Sequence, residues 1–291
     1  MVRFGPAGNS LQFYAEGMKK SEQAPKWLHE KGLTAYEYQC GKGVTIGDST
    51  ARAIGEKAVQ YGIALSLHAP YFISMASSDK EKRENSVTYI MQSLEAARNM
   101  GAKRVVFHTG GVGKMLRQDA MLCAKEILAK TISEADERGY GDIVLCPEVL
   151  GKRNQLGDVN EILEFCLMDE RMIPTFDFGH INARTGGGLK IADDFEQIIN
   201  KIENKLGSYR MKNLHCHFSR IQYSVGGEVR HLNYTDEGFG PEFDPFAEVI
   251  VKKDMSPIII CESAGKQSED SVIFKNIYEN LRKNLTGKTD D

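Results

Sequence analysis

Short apolar, β-prone runs recur along the whole chain, and seven stretches end at or near a side chain with a metal-binding lone pair. They read ALSLHAP to His68, RVVFHTG to His108, DIVLCPEV to Glu148, MIPTFDFGH to Asp177 and His180, NLHCHF to His215 and His217, GEVRH to His231, and PIIICES to Glu262. Six read as strands, and GEVRH reads as a loop. Runs without polar alternation are what buried parallel strands look like, because helices cover both sheet faces. Strand-like segments fall near residues 2–7, 34–40, 63–68, 103–108, 142–148, 172–177, 212–217 and 257–262. Helix-like segments such as DSTARAIGEKAVQYG and ADDFEQIINKIENKLG separate them, with Asp48 and Ser49, Ser78 and Asp79, and Asp158 as candidate N-caps. Eight strands alternating with helices predict an α/β fold, a parallel sheet closed into a (β/α)8 barrel. An open doubly wound sheet finds no support, since no GxGxxG follows a strand.

The 291 residues exceed a common domain length, but α/β barrels use roughly 250 residues as one unit, and no Pro-, Ser- or charge-rich linker divides the chain. Residues 1–291 therefore read as one barrel domain whose last ten or so residues form a disordered tail. No apolar run reaches ~18 residues, and the start MVRFGPAGNS lacks the regions of a signal peptide, so the expectation is a cytoplasmic monomer with no membrane partner. The six cysteines contain no CxxC pair, which fits a reducing compartment. A net charge of −3 gives no global basic field, so any nucleic acid must be met by local positive charge or by metal ions.

In such a barrel, function gathers where the strands end. Five of the seven histidines lie at or just past strand ends, and His231 sits in the long segment after the seventh strand. His29, in the helical WLHEKG, falls outside the pattern. Imidazoles with Glu and Asp, and no clustered thiolates, suit Zn, Mn, Fe or Co rather than a four-cysteine zinc or an oxygen-only calcium site. A catalytic zinc takes about three protein ligands, so this many candidates imply two or three ions. Clustered ions bridged by a carboxylate suit phosphoester hydrolysis. His215 and His217 share one strand face, so both can point inward, one as a ligand and the other supporting it or meeting substrate. The rival reading is a sugar or sugar-phosphate isomerase or epimerase, in which one divalent metal and two carboxylates such as Glu148 and Glu262 move a proton beside a carbonyl. That chemistry needs only about four ligands, and the surplus of His108, His180 and His231 argues against it. GGVGK at 110–114 lacks the full phosphate-loop spacing and reads as a turn at the barrel mouth.

HAPYF at 68–72, FHTGG at 107–111, PEV at 147–149, FDFGH at 176–180, LHCHFS at 214–219, RH at 230–231 and CES at 261–263 resemble the endonuclease IV family of AP endonucleases, within the xylose-isomerase-like TIM barrels. The resemblance runs from about residue 2 to about 280. It implies a zinc-dependent enzyme acting on damaged double-stranded DNA by a multinuclear metal-hydroxide mechanism, cutting 5′ to an abasic site, with Mn2+ or Fe2+ acceptable at some positions. Carried over, His68 and His108 would hold one zinc, with Glu148 bridging to a second held by Asp177, His215 and Glu262. His180 and His231 would hold the third, and Glu148 and Glu262 would be catalytic. Tyr71 and Phe72 would wedge into the duplex. The chain departs from the family where Val229 stands in place of a metal-binding aspartate, with Glu228 beside it as a substitute if the segment shifts by one residue. His217 is then a further ligand or a support. The segment QCGKGVTIGDS also lacks the family's Asn-Pro-Arg-like DNA-gripping run.

Overall fold

Ten strands appear in the computed structural model, which describes residues 1–287. They are β1 (Arg3–Pro6), β2 (Ala35–Gln39), β3 (Ala64–His68), β4 (Arg104–Phe107), β5 (Val144–Pro147), β6 (Thr175–Asp177), β7 (His215–Phe218), β8 (Arg220–Ser224), β9 (Gly227–Leu232) and β10 (Ile258–Cys261). Each of the eight expected strand runs overlaps one of β1 to β7 or β10. These pair in parallel as two four-stranded sheets, β2-β3-β4-β5 and β6-β7-β10-β1. Single parallel bridges join the sheets at both edges, Ala7 to Glu37 and Glu148 to Thr175. The (β/α)8 barrel thus has six laddered seams and two that are only stitched.

Helices between the strands cover the outside and bury one contiguous apolar core that runs from Val2 to Tyr278. Their ends follow local chemistry. Asp79 accepts from the amides of Glu81 and Lys82 at 3.0 and 3.4 Å, and Asp158 forms a reciprocal cap with Glu161. Asp48 is instead the first helical residue after Gly47, where its charge faces the positive end of the helix.

One expectation needs correction, and two placements follow. GEVRH is not a loop: it forms β9, which pairs with β8 as an antiparallel hairpin standing beyond β7. The segment after β6 is a helix, Phe178–Thr185, so His180 sits on helical backbone. The last helix, Gln267–Thr286, occupies the first half of the expected tail, and residues 288–291 lie outside the described residues. Among the described residues no helix is long and apolar enough to cross a membrane.

Candidate metal centre

Among the described residues, five groups of His, Asp and Glu bring ligand atoms within 4.8 Å of one another: His68/His108/Glu148; His68/His217/Glu262; Glu148/Asp177/His217/Glu262; His180/Glu228/His231; and Glu37/His215/His217. Four of them form a continuous patch at the strand ends, and the fifth lies one layer deeper. Glu148, almost fully buried, ties the patch together. Its Oε2 lies 3.0 Å from His68 Nε2 and 2.9 Å from His108 Nε2, while its Oε1 lies 3.3 Å from both His180 Nδ1 and His217 Nδ1. Each oxygen faces a different group, which is how a carboxylate spans two ions.

Local backbone explains the aim of several donors. Asp177 is the N-cap of the helix Phe178–Thr185: its Oδ1 accepts from the His180 amide at 2.7 Å, and its buried Oδ2 is left without a hydrogen bond. His180 Nδ1 lies 3.3 Å from it, but a buried carboxylate oxygen without a hydrogen bond is costly, and a cation would satisfy it. His68 Nδ1 lies 2.8 Å from the Ala69 carbonyl, and His180 Nδ1 lies 2.9 Å from the Val149 carbonyl. A carbonyl only accepts, so both Nδ1 atoms carry protons and both Nε2 atoms face the centre, where each becomes a donor to metal once any proton on it leaves. The donor set fits divalent metal ions on both counts.

Electrostatics agree with a site made for cations. Burial alone would raise the carboxyl of Glu148, but the charges of His108 and His217 hold it well below the usual range. Burial raises Asp177, helped by the nearby Glu262 and Glu148 carboxylates. Burial would push the His68 imidazole down, yet its hydrogen bond to Glu148 lifts it to about 9. Protons thus hold the carboxylates apart in the metal-free chain, and incoming metal must displace them.

Glu228 reaches the third group because of a β-bulge. Gln222 pairs with Arg230 and Tyr223 with Glu228, leaving Val229 as the extra, exposed residue. Residues three apart on a strand normally face opposite ways; one inserted residue resets the alternation, so Glu228 and His231 share a face. Glu228 Oε2 lies 3.5 Å from His180 Nε2. Gly151 makes this possible: a Cβ there would sit 2.6 Å from Glu228 Cβ and 2.9 Å from His180 Cδ2. Gly151→Ala is therefore expected to displace Glu228 and remove one metal equivalent while the others stay, a result that metal analysis of the purified variant would check.

Of the residues expected from sequence, His68, His108, Glu148, Asp177, His180, His231 and Glu262 all fall in the patch. His215 does not: it belongs to no group with Asp177 or Glu262. Strand register explains this, since His217 pairs beside Asp177 and His215 beside Thr175, one layer below. Both ring nitrogens of His215 are also taken, with Nε2 2.9 Å from Glu37 Oε2 and Nδ1 3.5 Å from the Arg104 guanidinium. Burial pushes its imidazole down to about 4, so it is neutral. His217 is the one grouped with Asp177 and Glu262. Sequence reasoning missed Glu37, which sits two residues inside the end of β2 between Tyr36 and Tyr38. Tyr71 and Phe72 stand 60% and 40% exposed, close beyond His68 on the mouth of the barrel. All six cysteines are free.

Similarity to known proteins agrees with the architecture. An uncharacterised protein of Methanocaldococcus jannaschii is 31% identical over 283 residues, covering 97% of this chain and 98% of its own. A protein of Staphylococcus carnosus named probable endonuclease 4 is 27% identical over 227 residues, covering 73% of this chain and 71% of its own. The crystal structure of a D-tagatose 3-epimerase-like protein superposes with a TM-score of 0.74 at 20% identity, covering 98% of this chain and 100% of that one, a likeness of fold alone. The profile of the xylose isomerase-like TIM barrel matches residues 25–283, and the chain belongs to that family.

Proposed function

We propose that this protein is a zinc-dependent endonuclease that cuts the phosphodiester 5′ to abasic sites in DNA. The observation that carries the reading is the number and linkage of donor groups: three groups at the strand ends share members, and a fourth, His180/Glu228/His231, adjoins them where His180 lies 3.3 Å from Glu148, so the patch offers places for up to three ions. Zinc ions there would supply Lewis acidity toward a phosphodiester and activate water. In this reading His68 and His108 would hold one ion, Asp177, His217 and Glu262 a second, and His180, Glu228 and His231 a third, with Glu148 available to the first two. Tyr71 and Phe72 supply exposed rings beside the centre that can stack on or wedge between bases. The name of the Staphylococcus carnosus relative, probable endonuclease 4, supports endonuclease activity.

A second reading has one observation in its favour: Glu148, Asp177, His217 and Glu262 form a complete four-donor set by themselves, enough for a single-metal sugar isomerase or epimerase. Metal content separates the two, with about three ions per chain for the nuclease and one or two for the isomerase. The deciding assay is incision of a duplex carrying one synthetic abasic site by zinc-loaded protein, beside a chelated sample and an undamaged duplex. Cleavage is expected only 5′ to the lesion, and only with metal. A fully metallated chain that leaves the lesion intact would transfer the assignment to the isomerase.

A further inference from the structure

Glu37 is a carboxylate in the middle of a buried strand, with no exposed surface at all. A charge placed so deep is costly unless its oxygens are fully paired. The Ser66 hydroxyl donates to Oε2 at 2.8 Å and the Gln39 amide to Oε1 at 3.1 Å. The remaining neighbours are imidazoles: His215 Nε2 lies 2.9 Å from Oε2, and His217 Nε2 lies 3.0 Å from Oε1.

The protons in this cluster can be assigned from Arg104. Its guanidinium donates to the carbonyls of Asn213 at 2.8 Å and Leu214 at 3.2 Å, and it sits 3.5 Å from His215 Nδ1. A guanidinium only donates, so His215 Nδ1 accepts and its Nε2–H points at Glu37. That leaves Oε1 facing His217 Nε2 at 3.0 Å, a buried nitrogen that makes no hydrogen bond of good geometry to any group, so Glu37 is the carboxylate within reach of a proton there. The other nitrogen of His217, Nδ1, faces the patch, 3.3 Å from Glu148 Oε1 and 3.5 Å from Glu262 Oε1.

We propose that Glu37, held by His215, Ser66 and Gln39, is a positioning residue that keeps the Nε2 proton of His217 on its own side and so presents the Nδ1 lone pair to the metal centre. Without it, the ring is free to place its proton on Nδ1, where the proton would donate to Glu148 or Glu262 and occupy the ligand position. Carboxylates behind metal-bound imidazoles fix ring orientation and raise basicity, and losing one typically weakens metal binding by about 10- to 100-fold. The inference rests on the metal centre proposed above and is independent of the substrate.

The test is Glu37→Gln, checked for folding by circular dichroism, with metal retention measured against graded chelator and cobalt absorption spectra recorded for the substituted protein. The parent chain must bind metal; if it does not, the centre fails, and this inference with it. Given a metal-binding parent, the ion contacted by His217 is expected to bind about 10- to 100-fold more weakly in the variant, with altered cobalt bands, while the group at His68 and His108 keeps its ion. Unchanged affinity and an unchanged spectrum overturn the proposal. Complete loss of one equivalent, with the others at parental affinity and an unaltered remaining spectrum, also overturns it, because Glu37 would then be a ligand of its own ion with His215 and His217. If Glu37→Gln does not fold, Ser66→Ala removes a single donor to the same carboxylate. A several-fold weaker ion is expected there, and parental affinity would again reject the role.

Discussion

Glu148→Gln is expected to lower abasic-site incision by on the order of 10³-fold or more, about 4 kcal/mol of barrier, and to leave the barrel folded. The amide has nearly the same shape, so packing around this almost fully buried side chain is kept. What is lost is the negative charge shared between two groups of imidazoles. Oε2 faces His68 and His108 and Oε1 faces His180 and His217, so one substitution weakens both neighbouring ion positions. Single-turnover incision rates with saturating zinc, and bound metal after gel filtration, measure the two effects. Full activity in a metal-replete variant would remove Glu148 from the centre.

The second large effect separates two histidines that lie two residues apart. His217→Ala is expected to reduce bound metal by at least one equivalent and to abolish incision, because His217 shares groups with His68, Glu148, Asp177 and Glu262. His215→Ala should act first on stability. It leaves the buried Glu37 carboxylate short of a donor, a penalty of about 1–3 kcal/mol in unfolding free energy. Its effect on metal affinity should be the smaller of the two, passed on through Glu37. Chemical denaturation and metal analysis of both variants decide the matter. If His215→Ala were to lose metal while His217→Ala retained it, the register-based assignment would be reversed.

These two histidines also mark how far the sequence could be read. Residues at strand ends are legible because an apolar run that stops at His, Asp or Glu announces both the strand and the donor. Depth within the barrel is not legible: alternation says only that His215 and His217 face the same way, and the pairing of His217 with Asp177 is needed to rank them. Glu37 was invisible for the same reason, since it ends no run and stands among tyrosines within β2. The role of Glu228 was a matter of spacing. Val229 interrupts the expected motif, and only a bulge, which has no fixed sequence signal, lets the preceding residue take up the carboxylate position. His180 could be foreseen as a donor, but not that Asp177 would start a helix that aims it.

The two stitched seams give the centre a second meaning. Ala7/Glu37 and Glu148/Thr175 divide the barrel wall into halves, and Glu37 and Glu148 stand at the divisions themselves. His68, His108, Glu148 and Glu37 belong to one half; Asp177, His215, His217 and Glu262 belong to the other. Three of the five donor groups draw on both. Ions held there would work as rivets, closing mechanically the places where the backbone ladder is thinnest. Chemistry and cohesion would then share one set of side chains, and a chain stripped of its ions would be expected to loosen first along the two lines where its walls meet.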